Sequence, residues 1–206
     1  MGLDINDLKN QHLDVLKEVG NIGSGNAATA LAKMLNKKVD MGVPSAKVME
    51  FKEVSDILGG AEVEVVGIIL EVEGDLKGEI MFMLRLDAAA MLVSILMNQD
   101  ISKLDEFDEI HISALKEVGN ILTGAYLSAL SLLTKMTIVP SVPSLSIDMA
   151  GAILSVPAIE FGKVGDTVLY IETEFIDGLN KVVGDFFLIP DMDSYEKLLK
   201  ALGVIS

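Results

Sequence analysis

The sequence predicts an α+β fold, a mixed α/β arrangement in which an antiparallel sheet packs against two long helices and several short ones. Three observations predict it. Residues 16 to 22 read LKEVGNI, and residues 115 to 121 read LKEVGNI again at an offset of 99. The match extends at the same offset to His12 and His111, Gly25 and Gly124, Ala30-Leu31 and Ala129-Leu130, and Val43-Pro44-Ser45 and Val142-Pro143-Ser144. Within each copy a helical period gives way to an extended stretch and then to apolar runs separated by turn residues. Consecutive strands joined by tight turns make an antiparallel sheet, and the helices must bury their apolar stripes on it. A duplication implies approximate internal two-fold symmetry. The 206 residues are expected to form a single domain (1–206) of two repeats, about 5–100 and about 104–206. Each half alone is short of material to cover both faces of a sheet.

Residues 5 to 36 read as an amphipathic helix with Leu8, Leu16, Val19, Ile22, Ala30, Leu31 and Met34 near one stripe. Gly20, Gly23 and Gly25 oppose that reading locally, because glycine costs about 1 kcal/mol against alanine in a helix interior. Such a cluster needs a reason, and close approach by another backbone is the usual one. An extended stretch with Pro44 follows over 38–51, then strands at 61–73 and 77–86 joined by Gly74-Asp75. Asp87 is placed to cap a short helix over 88–97. The second copy repeats the plan with a helix over 102–134 that keeps Gly119 and Gly124, and an extended stretch over 137–147 with Pro143. Strands are expected at 152–161, 167–175 and 181–188, with Asp177-Gly178 as a turn and Asp193 capping a helix over 194–202.

Composition narrows the function. Half the residues are hydrophobic, yet no run of about 18 uncharged apolar residues exists, so a membrane span is not expected. The most apolar window, 80–97, carries Arg85 and Asp87 at its centre. No basic, apolar leader opens the chain and there is no cysteine, which together point to a cytoplasmic protein. A net charge of -15 argues against nucleic acid and anionic lipid as partners. With two histidines, histidine-dependent catalysis has little to work with. The acidic stretch 104–109 is the nearest thing to a boundary between the repeats.

One constellation carries chemistry. Asp14, Glu18 and Asn21 stand at i, i+4 and i+7, and Ser113, Glu117 and Asn120 repeat the spacing. At about 100° per residue each trio falls within about 60° and forms one polar line along its helix. Gly25 and Gly124 extend that line by a turn, which suits a surface that something docks against closely. A glutamate and an asparagine on a solvated helix face are ordinary. Asparagine, however, is a mediocre helix former, and here it stands mid-helix twice while Ser24/Thr123, Asn26/Ala125 and Lys33/Leu132 differ. A carboxamide has no useful basicity, but it donates and accepts hydrogen bonds and can hold a water molecule. Orienting water is sufficient where the leaving group is good, as a glutamine does in GTPases. An acyl phosphate, whose leaving group is a carboxylate, fits that requirement.

Other constellations are weaker. His12 lies about 120° off the face of Glu18 and makes a poor metal pair with it. Glu18 with Glu117 would serve as a glycosidase pair only within about 10 Å of each other. Asp191-Met-Asp193 lacks the remaining ligands of a calcium loop and reads as helix capping. The glycines of 20–25 follow no strand and carry no lysine placed as in a phosphate loop. The eleven methionines read as core fillers, and no metal site is expected.

The pattern [D/S]-x3-E-x2-N-x22-P occurs as Asp14-Glu18-Asn21-Pro44 and again as Ser113-Glu117-Asn120-Pro143. It resembles the signature of the CheC/CheX/FliY family of chemotaxis phosphatases, and the resemblance spans essentially the whole chain. The resemblance implies hydrolysis of the aspartyl phosphate on the response regulator CheY. Asn21 and Asn120 would then align the attacking water, while Glu18 and Glu117 hold the regulator through its active-site lysine. Asp14 and Ser113 would support docking or the motif's geometry, and Pro44 and Pro143 the chain path after each helix. The protein would need no cofactor of its own, since the Mg2+ belongs to CheY. It also implies binding to CheD, a receptor deamidase; the segment 145–150, which differs from its counterpart 46–51, is the candidate contact through Asp148, with a structural loop as the alternative. A non-catalytic adaptor that binds phosphorylated CheY or CheD through the same helix faces is the alternative.

Overall fold

The computed structural model describes residues 10–98, 107–161, 167–177 and 180–203. The order is α1 (Asn10–Leu35), β1 (Asp40–Glu50), a 3-10 turn (Phe51–Glu53), α2 (Val54–Ile57), β2 (Glu64–Gly74), β3 (Gly78–Arg85) and α3 (Leu86–Met97) in the first half. The second half holds α4 (Glu109–Thr134), β4 (Ile138–Pro140), β5 (Ser144–Met149), α5 (Ala150–Phe161), β6 (Thr167–Asp177), β7 (Asn180–Pro190) and α6 (Met192–Ala201). The expected α+β class with two long motif-bearing helices is the observed one. Leu8, Gly178 and the first half of the acidic stretch 104–109 lie outside the described residues, as do the side chains of His12, Asp14 and Leu16.

All seven strands join one antiparallel sheet in the order β1-β6-β7-β3-β2-β4, with β5 also paired to β2. The pseudo-dyad therefore passes between β7 and β3, and relates β6 to β2 and β1 to the β4–β5 pair. Each half sends its leading strand to the other: β1 pairs with β6, and β5 pairs with β2. β3, at the centre, reads Ile80-Met-Phe-Met-Leu84 and is buried on both faces. A continuous apolar run is what a strand covered on both sides requires. One face carries α1, α4, α3 and α6 over Ile68, Ile80, Phe82, Ile171 and Phe186. The other carries α2 and α5 over Val65, Met81, Met83, Tyr170 and Phe187.

Small residues set how closely the long helices sit. A Cβ on Gly119 would lie 2.6 Å from Ile68 Cγ2, and one on Gly20 would lie 2.9 Å from Val43 Cγ1. A Cβ on Gly23 would lie 2.2 Å from Tyr126 Cδ1, so this glycine admits the tyrosine of α4. Tyr126 is fully buried, packs at a tilt against Phe186 with ring centroids 4.6 Å apart, and shares a 2.8 Å hydrogen bond with Thr173 Oγ1. Burial pushes its phenol up to about 12 against the opposing effect of that bond. The close approach expected of the glycine cluster is thus chiefly to side chains.

Several expectations are corrected. The segment 152–161 is not a strand but part of α5. Periodicity cannot separate a short apolar run from a buried helix, and here Ile153, Leu154 and Pro157 are buried at helical spacing. Asp87 is not the N-cap of α3; that is Arg85, while Asp87 lies in the first turn and accepts the Ala88 amide at 2.9 Å. Likewise Asp191, not Asp193, caps α6 by accepting from Ser194 N at 2.7 Å. Both helices begin earlier than expected because the strand before each ends against the cap, and the displaced aspartates favour the positive helix end. Met34 is 43% exposed, off the buried stripe. His111 is buried, and its Nδ1 accepts the Asp108 amide at 3.1 Å in the cap of α4. Gly74 takes a φ of +107° in the expected turn.

Within the face under α2 and α5, Tyr170 Oη donates to Asp185 Oδ1 at 2.8 Å, with Glu172 paired across the ladder from Asp185. Burial raises the Asp185 carboxyl to about 6; the tyrosine bond opposes this and the Glu172 charge adds to it. The unfolded chain releases this proton near 3.8 and the folded chain near 6. Stability from this group is therefore full below about pH 4 and declines by about 3 kcal/mol as pH rises through 6. Denaturation of Asp185→Asn across that window is expected to lack the decline. Gly119→Ala should lower unfolding free energy by about 1–3 kcal/mol in denaturant titration, because Ile68 has no room to yield.

Candidate functional site

The seven residues shared by the two long helices divide by direction. Val19 and Val118 are fully buried, and Gly20 and Gly119 meet the sheet side chains described above. Glu18, Asn21, Glu117 and Asn120 project from the opposite side and are exposed. The Val-Gly pair has an internal reason to persist in both copies, since it seats the helix. The Glu and Asn do not. Among the described residues, none of these four side chains makes an intramolecular hydrogen bond or ion pair. Four polar groups without internal partners are available to a visitor, on two faces related by the pseudo-dyad.

The supporting motif residues differ between copies. Asp14 lies in α1, its side chain outside the described set. Ser113 is exposed, and its hydroxyl donates to Glu109 O at 2.7 Å, a bond within its own helix that an aspartate carboxylate cannot donate. Ser24 Oγ donates to the Asn21 carbonyl at 3.1 Å, whereas its counterpart Thr123 is buried with no partner for Oγ1. Thr29 Oγ1 donates to the Gly25 carbonyl at 2.9 Å, a bond back onto the helix's own backbone.

The prolines mark a shared irregularity. The β1–β6 ladder shifts register between Gly42 and Ser45, and Pro44 sits in that shift. Pro143 lies in the gap that divides β4 from β5 along β2. Proline has no amide hydrogen to donate, so it belongs where an edge ladder is broken. In the first copy the break turns Val43 inward onto Gly20, next to Asn21. In the second, Val142 is 88% exposed and Ile68 of β2 takes the contact with Gly119.

Asp148 is exposed at the end of β5, paired with Val65, and its carboxylate accepts the Met149 amide at 2.7 Å. It therefore stands well away in sequence from either ridge, at the entry to α5. An exposed helix face bearing a carboxylate and a carboxamide can grip a partner's cation and position a water molecule. Such a face suits a macromolecular substrate that brings its own reactive group.

The CheC-like family model matches residues 12–48 and 110–147, the two stretches that contain the helices and prolines. Over 202 residues the chain is 42% identical to the CheY-P phosphatase CheC of Bacillus subtilis, covering 96% of this chain and 97% of that protein. The chain belongs to the CheC-like family. It is also 30% identical over 129 residues to the flagellar motor switch phosphatase FliY of Bacillus subtilis, covering 62% of this chain and 33% of that relative. The crystal structure of Thermotoga maritima FliY superposes with a TM-score of 0.73 at 26% identity, covering 95% of this chain and 98% of that one. The middle domain of FliM from H. pylori shares the fold, with a TM-score of 0.64 at 10% identity and 96% and 100% covered.

Sequence reasoning passed over Lys17 and Lys116, which belong to the same seven-residue identity. Lys17 is exposed beside Glu18, and neither lysine has an ion-pair partner among the described residues. In a chain of net charge -15, a cation kept twice beside the polar line was a readable signal. Because Asn21 and Asn120 have no internal partners, Asn21→Ala and Asn120→Ala should each change unfolding free energy by less than about 0.5 kcal/mol in denaturant titration. A loss above about 1 kcal/mol would assign them a structural role instead.

Proposed function

We propose that this protein hydrolyses the aspartyl phosphate of a CheY-type response regulator through two pseudo-equivalent sites. The observation that carries the reading is the pair of asparagines, exposed and without internal partners, at one position of both helices. Near-full-length identity to a relative named CheY-P phosphatase supports it.

Asn21 or Asn120 enters the regulator's active site and holds a water molecule in line with the phosphorus. The water oxygen bonds to phosphorus as the bond to the aspartyl oxygen breaks. The carboxylate leaves with its electron pair, and the water's protons pass to phosphate and solvent. Little activation of the nucleophile is needed, because phosphoryl transfer has a loose transition state. Glu18 or Glu117 pairs with a lysine on the regulator and fixes its orientation by a charge-assisted bond. Lys17 adds positive potential near an anionic phosphoryl group. Asp14 and Ser113 support the docking face, and Mg2+ arrives with the regulator as part of the substrate, with no cofactor needed from this chain.

The reading includes CheD as a second partner, docking at Asp148 and α5. Support comes from the exposed Asp148 carboxylate and from Met149, Val156 and Ile159, which are 47%, 50% and 82% exposed along that segment.

Decay of phosphorylated CheY, followed with and without the protein, tests the phosphatase. Each single variant, Asn21→Ala or Asn120→Ala, should retain part of the acceleration, and the double variant should lose about 100-fold or more. Normal phosphate lifetime with intact regulator binding by the unaltered protein would leave an adaptor in place of an enzyme.

A further inference from the structure

Not all the helix glycines are explained by the protein's own packing. Gly20, Gly23 and Gly119 each face an atom within 3 Å of where a Cβ would stand, so the fold excludes a side chain there. Gly25 and Gly124 differ from them. Both lie inside long α-helices, and a Cβ at either position would meet nothing within 4 Å. Neither takes a positive φ. After proline, glycine is the least favourable residue in a helix interior, and alanine would fit both positions without strain.

Their place on the helix is what distinguishes them. Gly25 lies four residues beyond Asn21 and Gly124 four beyond Asn120, so each continues the Glu–Asn face by one turn. Gly124 also lines a groove of about 510 Å³ between α4 and β4, together with Leu127, Ser128 and Ile138. Neighbouring residues drifted between copies, as Asn26 and Ala125 show, while this glycine is present in both. A residue that weakens its helix, relieves no internal clash and borders the reactive amide keeps space for something outside the molecule.

We infer that Gly25 and Gly124 are contact positions for the phosphorylated regulator, whose main chain passes in van der Waals contact over the helix one turn beyond each asparagine. This rests on the phosphatase reading above and adds a steric determinant of docking to it. The occupant is the receiver that carries the acyl phosphate. An asparagine side chain is short, so an amide that must reach into another protein's active site requires the helix itself to come close. A methyl group at the next turn would hold it away.

The test is a graded series, Gly25→Ala/Gly124→Ala and then Gly25→Gln/Gly124→Gln, in the full chain. Each is measured for unfolding midpoint, for binding to CheY loaded with beryllofluoride, and for phosphate release. The alanine pair should raise the midpoint by about 2–4 °C per site. It should weaken regulator binding about tenfold, the glutamine pair about 100-fold, with the loss carried by KM and not by kcat. Undiminished affinity through the glutamine pair would overturn the inference, and so would a lowered midpoint for the alanine pair. The asparagine variants run in parallel separate the two claims. Full hydrolysis by Asn21→Ala/Asn120→Ala removes the asparagine sites on which the proposed mechanism rests, whereas inactive asparagine variants beside normally binding glycine variants remove this inference alone.

Discussion

The exchange of leading strands is the constraint on which the rest of the structure depends. β1 completes the sheet beside β6 of the second repeat, and β5 completes it beside β2 of the first. A repeat folded alone would leave its own edge open, with unpaired amides and carbonyls that the other repeat's strand satisfies. The long helices are carried on this shared sheet, so the relation between the two polar faces is built into the strand order. Two surfaces meant to act as equivalents would need such a frame, because independent lobes would vary in separation and tilt.

On that frame the seven-residue repeat does two jobs on opposite sides of one helical turn. Val19 and Gly20, like Val118 and Gly119, press the helix onto the sheet. Glu18 and Asn21, like Glu117 and Asn120, stand outward on the turn thus held. A side chain presented from a rigid, closely packed helix loses little further freedom when a partner closes on it, which favours alignment over flexibility. The broken ladder at Pro44 belongs to the same device, since it lets Val43 turn in against Gly20.

Much of this was legible before any coordinates. The duplication announced the pseudo-dyad, the helical spacing placed Glu and Asn on one line, and the paired prolines marked the path after each helix. What escaped did so for physical reasons. The run 152–161 is apolar almost throughout, so its period could not tell helix from strand, and Pro157 added to the ambiguity by standing inside α5. An aspartate before an apolar run fits the rule for a cap at Asp87 and Asp193, yet the observed N-caps, Arg85 and Asp191, each stand two residues earlier. The exchange of edge strands left no local trace at all, since pairing between distant segments is a property of the whole sheet.

The crossing of α1 and α4 has a further meaning. Gly23 receives Tyr126, and the pseudo-dyad gives the reciprocal positions to Ala27 and Leu122, both fully buried. The large and small partners have traded places across the axis. Two copies of the second repeat would crowd Leu122 onto Tyr126, and two of the first would leave Gly23 facing Ala27 across a void. Divergence has acted here as a ratchet: each half has become the specific mould of the other, and neither can now stand in for both.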